Sequence, residues 1–97
     1  MKVSLSDDAL QDLIEAADWL IDAQAWPAVD VLHTEVRQAS QRLSRTPGLG
    51  TPGPESTRLL PIHRFPYSLV YREDDEGVCV IAVAHQSREP GFWRGRR

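Results

Sequence analysis

Side chains that can move protons or stabilise negative charge gather in the second half of the chain. They are Arg58, His63, Arg64, Arg72, His85 and Arg88. A histidine can act as a general acid or base near neutral pH, and an arginine can offset charge that develops on a phosphate. His85 ends the apolar run VCVIAVAH and Arg72 ends YSLVYR, so each stands where a predicted strand stops. The set could serve phosphate chemistry or a surface that binds an anionic partner.

Simpler interpretations stand beside the catalytic one. For His85 we favour a strand-end histidine that is hydrogen-bonded to the backbone, ahead of catalysis or partner contact. For Arg72, an ion pair with Glu73 or another nearby acid is as well supported as a phosphate contact. No Cys, His or Asp cluster has ligand spacing, so we expect neither His33 nor His63 to bind a metal. The sequence predicts no metal and no cofactor.

The C-terminal run FWRGRR is a second group of interest. The net charge is −3, yet four arginines lie in the last ten residues, namely Arg88, Arg94, Arg96 and Arg97. This asymmetry predicts a basic end that meets an anionic partner. Phe92 and Trp93 could stack on bases, although we favour a role in fixing the C-terminus to the domain. Because Phe92–Arg97 follows the last predicted strand, we expect the fold to survive its removal.

The first half of the chain predicts a short strand followed by a helix. The run KVSL alternates, and Ser6 after it is a good N-cap. Apolar residues then recur at helical spacing as far as Ile21, which predicts a helix of about 15 residues. Asp12, Glu15 and Asp18 lie mostly off this apolar stripe.

A second helix is predicted over Pro27–Arg45, because proline suits a first helical turn and the apolar residues form a narrow seam. The short link between the helices predicts an antiparallel hairpin. Trp19 and Trp26 are expected to pack near its corner.

Cys79 lies within an apolar strand and is expected to be a small buried residue, with no partner for an internal disulfide. No leader or membrane-spanning run is visible, so we expect a cytoplasmic protein.

The remaining segments predict a sheet. Thr46–Thr57 contains three prolines and three glycines and is expected to form a surface loop. Strands are expected at Arg58–Phe65, Tyr67–Arg72 and Val78–His85, with a polar hairpin turn before the last. Pro61 lacks an amide hydrogen, which predicts that the first of these strands lies at an edge or is bulged there. The predicted fold is α+β, a single domain over residues 1–97 in the order β-α-α-β-β-β. A helix hairpin packs on one face of a small, mainly antiparallel sheet.

Several short motifs resemble one known family. RLLP, RFPYSLVYR, the acidic turn, the strand end VIAVAH and the tail pattern R-x-P-x-x-W are similar to the RelE/ParE superfamily of toxins from bacterial type II toxin–antitoxin systems. The resemblance extends over nearly the whole chain. It implies the fold above, a cognate antitoxin encoded in an adjacent gene, a hetero-oligomer of the two proteins, and a role in plasmid stabilisation.

The resemblance implies one of two activities. RelE-like members cleave messenger RNA in the ribosome, and on that interpretation Arg72, His85 and Arg88 are the catalytic candidates. ParE-like members inhibit DNA gyrase by binding it. Arg58–Phe65 lacks the lysines of the best-known ribosomal nucleases, and FWRGRR lacks the tyrosine that several nuclease branches use near their C-terminus. We therefore expect a ParE-like gyrase inhibitor. The alternatives are mRNA cleavage, or antitoxin binding without toxicity.

On the ParE-like interpretation, we expect five arginines and one tryptophan to contact the target or partner. They are Arg58, Arg64, Arg88, Trp93, Arg94 and Arg96. We also expect a small acidic antitoxin to pack on the helix pair and to add a strand at the edge that Pro61 marks. An unpaired sheet edge offers backbone donors and acceptors for such an addition.

Overall fold

The fold is one mixed sheet with a helix pair on one face. A computed structural model describes residues 1–96. The elements in chain order are β1 (Lys2–Leu5), α1 (Asp7–Asp22), α2 (Trp26–Arg45), β2 (Thr51–Pro52), β3 (Arg58–Pro61), β4 (Tyr67–Glu73) and β5 (Gly77–His85). The five strands lie in the order β1-β5-β4-β3-β2, with β1 parallel to β5 and the other pairs antiparallel. The predicted α+β fold is confirmed, and the structure adds β2.

Both helices begin and end close to the predicted residues. The Ser6 side chain accepts a hydrogen bond from the amide of Ala9 at 3.1 Å, which caps α1. α1 has 16 residues and α2 has 20. One expectation about α1 is wrong, because Asp12 is only 8% exposed. It lies on the buried face of the helix, between Ala9 and Ala16.

The centre of the sheet, around β4 and β5, is buried on both faces. Under the helices lie Leu60, Leu69, Tyr71, Val78, Val80 and Val83, and on the opposite face lie Val70, Ile81, Ala82 and Trp93. A β-bulge makes this division possible. Tyr71 pairs with Val80 and Val70 pairs with Ala82, so Ile81 is one extra residue in β5. The bulge turns Ile81 and Ala82 to the same face, and the unbroken apolar run of β5 reflects burial on both sides.

The predicted surface loop contains the short strand β2. Thr51 pairs with Leu59 and Pro52 with Arg58, so β2 covers the first half of the β3 edge. The strand predicted over Arg58–Phe65 ends at Pro61 instead. A turn follows, closed by a hydrogen bond from the Ile62 amide to the Tyr67 carbonyl oxygen at 3.0 Å. The edge that Pro61 marks is therefore shorter than the sequence indicated.

The two tryptophans of the helix hairpin are on the surface, so the expectation that they pack at its corner is wrong. Trp19 is 66% exposed and Trp26 is 62% exposed. The corner is closed by the backbone instead, through hydrogen bonds from the amides of residues 23, 24 and 25 to carbonyl oxygens of α1.

Cys79 is half-buried rather than buried, and it packs beside Val70, Ile81, Ala82 and Trp93 on the sheet face away from the helices. Within residues 1–96, no helix has both the length and the apolar character needed to cross a membrane.

Candidate functional site

The predicted catalytic residues do not form one site. Arg72 pairs with Cys79 and His85 pairs with Tyr67, at opposite ends of the β4–β5 ladder. The two positions are five residues apart along β4, which is about 17 Å at roughly 3.3–3.4 Å per residue. The side chains also leave the sheet on different faces. His85 packs edge-on against Tyr67, beside the helix-covered core, with ring centres 5.0 Å apart. Arg72 contacts the C-terminal segment on the other face, so the two cannot act on one phosphate.

Arg72 holds two segments of the chain together. Its Nε donates to the Glu55 carbonyl oxygen at 2.9 Å, and its Nη1 donates to the Arg96 carbonyl oxygen at 2.6 Å. Its Nη2 lies 3.5 Å from Glu55 Oε1, which also accepts from the Gly95 amide at 3.2 Å. The ion-pair interpretation of Arg72 fits this geometry, and the partner is Glu55 rather than Glu73. The guanidinium of Arg72 therefore has a structural role: it binds the Glu55 region to the C-terminal segment.

His85 is a strand-end histidine bonded to the backbone, as favoured from the sequence. Its Nδ1 accepts a hydrogen bond from the Ser87 amide at 3.0 Å, which fixes the ring. Its carbonyl oxygen accepts from the Arg88 amide at 2.9 Å. Burial raises the pKa of the neighbouring Tyr67 hydroxyl. His85 and Arg88 are thus close together, but Arg72 is not part of their surroundings.

An ion pair that the sequence did not predict joins helix α1 to the end of the chain. Asp12 Oδ2 accepts from Arg96 Nη1 at 2.6 Å, and Asp12 Oδ1 accepts from Arg96 Nη2 at 3.3 Å. Arg96 Nη1 also donates to the Ile81 carbonyl oxygen at 3.0 Å, and the Val83 amide donates to Asp12 Oδ2 at 3.0 Å. The hydrogen bond with Asp12 raises the pKa of Arg96. The pairing of β1 with β5 ends at Val80. Beyond that point, the Asp12–Arg96 pair binds backbone groups of β5, namely the Ile81 carbonyl oxygen and the Val83 amide.

The C-terminal segment is part of the core rather than an appendage. Trp93 is 5% exposed and packs on Val70, Ile81 and Ala82. The expectation that the fold survives removal of Phe92–Arg97 therefore conflicts with the structure, because the second face of β5 would lose its cover. Trp93 and Arg96 are engaged inside the molecule, and we leave both out of the contact surface proposed below. Arg97 lies outside the described residues.

The other predicted contact residues divide between two ends of the sheet. Arg58 is half-buried and donates to the carbonyl oxygens of Gly48 and Gly50 at 3.3 and 2.8 Å, so it holds the loop before β3. Arg64 is exposed in the β3–β4 turn, and Arg88 and Arg94 are exposed in the segment after β5. A hydrogen bond of 2.8 Å from the Gln86 amide to the Pro66 carbonyl oxygen joins that turn to that segment. Arg64 and Arg88 therefore belong to the same end of the sheet.

A groove opens at this end, between α1 and the β4–β5 pair. Its volume is about 690 Å³. Its lining residues are Asp12, Glu15, Ala16, Trp19, Leu20, Phe65, Pro66, Tyr67, Val83, His85, Ser87 and Arg88. The groove exists because β1 pairs with β5 only as far as Val80, and α1 passes beside the rest of that edge. Within residues 1–96, no group of three or more His, Cys, Asp or Glu side chains is arranged to hold a metal ion.

A comparison with protein families identifies the family of this chain. The model of the ParE toxin of the type II toxin–antitoxin system, parDE, matches residues 3–90. The chain belongs to this family. The resemblance to the RelE/ParE superfamily, closer to the ParE branch, is thus confirmed. As a ParE family member, the chain is the toxin component of a type II toxin–antitoxin system, and the family implies an antitoxin partner.

The fold of this ParE family member is similar to a solved structure. That structure is described as the chromosomal ParDE TA system from P. aeruginosa, and the match has a TM-score of 0.75. Sequence identity is 16%, over 88% of this chain and 95% of the other. No curated protein sequence matches the chain. The structural match supports the ParE fold, and the roles of individual side chains rest on the geometry above.

Two signals for the site were present in the sequence and were missed. Ala9, Asp12 and Ala16 have the i, i+3, i+7 spacing of a buried helix face, which placed Asp12 against the sheet. The apolar run of β5 does not alternate, which required a cover for its second face. Within residues 1–96, the C-terminal segment with Trp93 provides that cover.

Proposed function

We propose that this ParE family toxin arrests growth by binding DNA gyrase in the cytoplasm, without catalysing a reaction itself. The observation that supports this most is the commitment of Arg72 to Glu55 and Arg96, about 17 Å along the sheet from His85. Cleavage of RNA needs a proton-moving group and a cation at the same phosphate. This chain commits Arg72 elsewhere, and the guanidinium of Arg88, which lies near His85, is stacked on the Phe92 ring at 4.0 Å. Both observations favour action by contact.

The proposed contact surface is the basic end of the sheet with the segment that follows β5. It consists of Arg64, Arg88 and Arg94, all exposed. The chain as a whole carries a net charge of −3. The acids of α1 and of the β4–β5 turn account for much of this charge, and Arg64 and Arg88 form a basic patch at the opposite end of the sheet from that turn. Such a patch steers association with a negatively charged surface and fixes its orientation.

We further propose that the cognate antitoxin neutralises the toxin in a hetero-oligomer, with one segment in the groove beside α1. Trp19, Phe65 and Tyr67 provide apolar surface there, Glu15 provides negative charge on the α1 side, and Arg88 provides positive charge after β5. An amphipathic segment with apolar side chains and with charges of both signs would match this lining in shape and charge. The groove replaces the Pro61 edge as the proposed docking site, since β2 covers half of that edge.

The gyrase proposal is tested with the purified chain in assays of DNA supercoiling and gyrase–DNA cleavage complexes. The charge-removing double variant Arg64→Ala/Arg88→Ala should inhibit gyrase at least tenfold less than the parent, because arginines often dominate interface energies. The matched control is Arg37→Ala/Arg45→Ala, which removes two exposed arginines of α2. His85→Ala should lose less than the double variant, because no proton transfer is required.

The RelE-like alternative predicts the reverse order of effects. Loss of a general acid or base typically costs roughly a hundred- to ten-thousandfold in rate. A folded His85→Ala chain that binds antitoxin but no longer arrests growth, together with new mRNA 5′ ends and unaffected gyrase in cells expressing the parent, would overturn the proposal.

The antitoxin proposal has a matched pair of tryptophans for its test. Trp19 lines the groove, while Trp26 is similarly exposed and is not among the residues that line it. We expect Trp19→Ala to weaken binding of the protein encoded by the adjacent reading frame at least tenfold, and Trp26→Ala to leave it unchanged. Isothermal titration of the full chains measures both. Equal losses for the two variants would show that the groove is not the docking site.

A further inference from the structure

We infer that Asp12, on helix α1, is a positioning residue for Arg88 in the proposed contact surface. Asp12 fixes the guanidinium of Arg96, and that guanidinium packs against the ring of Phe92. The guanidinium of Arg88 stacks on the same ring. Only the role given to Arg88 at the target rests on the proposed function. The chain of contacts from Asp12 to Arg88 stands on the geometry of this molecule.

The first link is the ion pair between Asp12 and Arg96. Both carboxylate oxygens of Asp12 accept from the two terminal nitrogens of Arg96, and Arg96 Nη1 also reaches the Ile81 carbonyl oxygen. The side chain of Asp12 is 7% exposed and that of Arg96 is 19% exposed. Paired in this way and shielded from water, a guanidinium has one favourable position, and salt screens the pair weakly.

The second link is the ring of Phe92. The central guanidinium carbon of Arg96 lies 5.1 Å from the ring centre, and that of Arg88 lies 4.0 Å from it. Two cations are thus held by one aromatic ring, which attracts them through its quadrupole. Within residues 1–96, the Arg88 side chain makes no hydrogen bond or ion pair, so the ring is what orients it. A change in the position of Phe92 therefore moves Arg88.

The backbone of the segment has its own supports, which makes the inference testable. Arg72 binds the Arg96 carbonyl oxygen, Glu55 binds the Gly95 amide, and Trp93 is buried against the sheet. None of these contacts uses the carboxylate of Asp12. Loss of the Asp12 charge should therefore release the Arg96 side chain and Phe92 while the segment stays on the sheet.

Hydrogen exchange at side-chain and backbone N–H groups, followed by NMR, tests the first part. In Asp12→Asn the side-chain oxygen can still accept from the Val83 amide, but the ionic bond to Arg96 is lost. We expect exchange at the guanidinium N–H groups of Arg96 to accelerate at least tenfold, with the backbone amides of Arg94, Arg96, β4 and β5 unchanged. Asp18→Asn, which removes an exposed acid of the same helix, should leave both sets unchanged. Equal protection of the Arg96 guanidinium in parent and Asp12→Asn would overturn the inference.

A double-mutant cycle tests the second part. If Asp12 acts through the position of Arg88, then Asp12→Asn should weaken gyrase inhibition or growth arrest, and should add nothing in an Arg88→Ala background. Additive losses in the two backgrounds would refute the positioning role. If the parent arrests growth without inhibiting gyrase, the proposed target is wrong, and the same cycle read on growth still decides the inference.

Two further variants keep the test decisive if Asp12→Asn fails to fold. Phe92→Leu preserves the ion pair and removes the ring, so it should lower inhibition to the level of Arg88→Ala. Arg96→Lys keeps the charge but cannot bind Asp12 with two nitrogens while also reaching Ile81 and Phe92, so it should fall between the parent and Phe92→Leu. A Phe92→Leu chain as inhibitory as the parent would contradict the inference.

Discussion

The hydroxyl of Tyr71 accepts a hydrogen bond from the amide of Gly50 at 2.8 Å, across 21 residues of sequence. The same hydroxyl donates to the Pro47 carbonyl oxygen at 2.7 Å. Tyr71 is wholly buried in β4, under the helix pair. One phenol group therefore closes the loop between α2 and β3 over the core, where the prolines and glycines of that loop form no long strand or helix.

Replacing Tyr71 by Phe should destabilise the fold. The change removes both hydrogen bonds and leaves the Gly50 amide without its partner, so we expect a loss of about 1–3 kcal/mol in the free energy of unfolding. Chemical denaturation measures the loss. Tyr67→Phe is the control, because its hydroxyl makes no hydrogen bond to another residue in the range 1–96, and should change stability by less than about 0.5 kcal/mol. Equal midpoints for the two variants would show that the Tyr71 hydroxyl contributes nothing.

Gly50 and Gly48 provide a second matched pair. Gly50 has φ −74°, which any residue can adopt, so space rather than backbone conformation requires glycine. A Cβ there would lie 2.8 Å from both the Leu59 carbonyl oxygen and the Tyr71 hydroxyl oxygen. Gly50→Ala should cost about 1–3 kcal/mol through this overpacking. A Cβ at Gly48 meets nothing within 4 Å, so Gly48→Ala should melt with the parent. A Gly50→Ala protein that also melts with the parent would mean that the loop can move away.

Introducing a carboxylate on either face of β5 should unfold the protein. Val80 is fully buried under the helices and Ile81 is 1% exposed on the opposite face. Burial of an unpaired charge is among the costliest single changes, so neither Val80→Asp nor Ile81→Asp should show a cooperative melt by circular dichroism. Gln86→Asp, just past the strand end, should melt like the parent. A folded Ile81→Asp variant would indicate that the C-terminal segment does not cover that face.

Truncation of the indole at position 93 should weaken the core. Trp93→Ala removes the largest side chain from the second face, and we expect a loss of about 3–5 kcal/mol. Deletion of Phe92–Arg97 should cost at least as much, since it also removes the partner of Asp12. Arg94→Ala changes an exposed neighbour and should be nearly neutral in a thermal melt. A stable, cooperative deletion variant would restore the idea of a dispensable tail.

The helices and the long strands were predictable because each carries a pattern that matches one structure. Ser6 as a cap, followed by apolar residues at helical spacing, sets the start of α1. The run VCVIAVAH predicts β5, and its lack of alternation also held the information that both faces are buried. β2 was not predictable, since two residues in a loop rich in proline and glycine become a strand only because β3 lies alongside them.

The candidate site was harder to predict because its contacts join residues that are distant in sequence. Asp12 and Arg96 are 84 positions apart, and a lone acid on a helix is usually solvated. The tryptophans show the same limit. Trp19 lies in a helix rich in apolar residues and is exposed, whereas Trp93 stands among arginines and is buried. Composition around a residue does not reveal which segment will cover it.

The parallel pairing of β1 with β5 has a consequence for the order in which the protein forms. Lys2 is opposite Gly77 and Leu5 is opposite Val80. β1, the first strand to be synthesised, therefore cannot pair until β5, the last strand, has been made. About 75 residues separate each pair, which is several seconds at translation rates of roughly 5–20 residues per second. The nascent chain therefore carries both helices while its sheet is still open. Every surface that depends on β5, including the one that presents Arg88, comes into being only when synthesis is nearly complete.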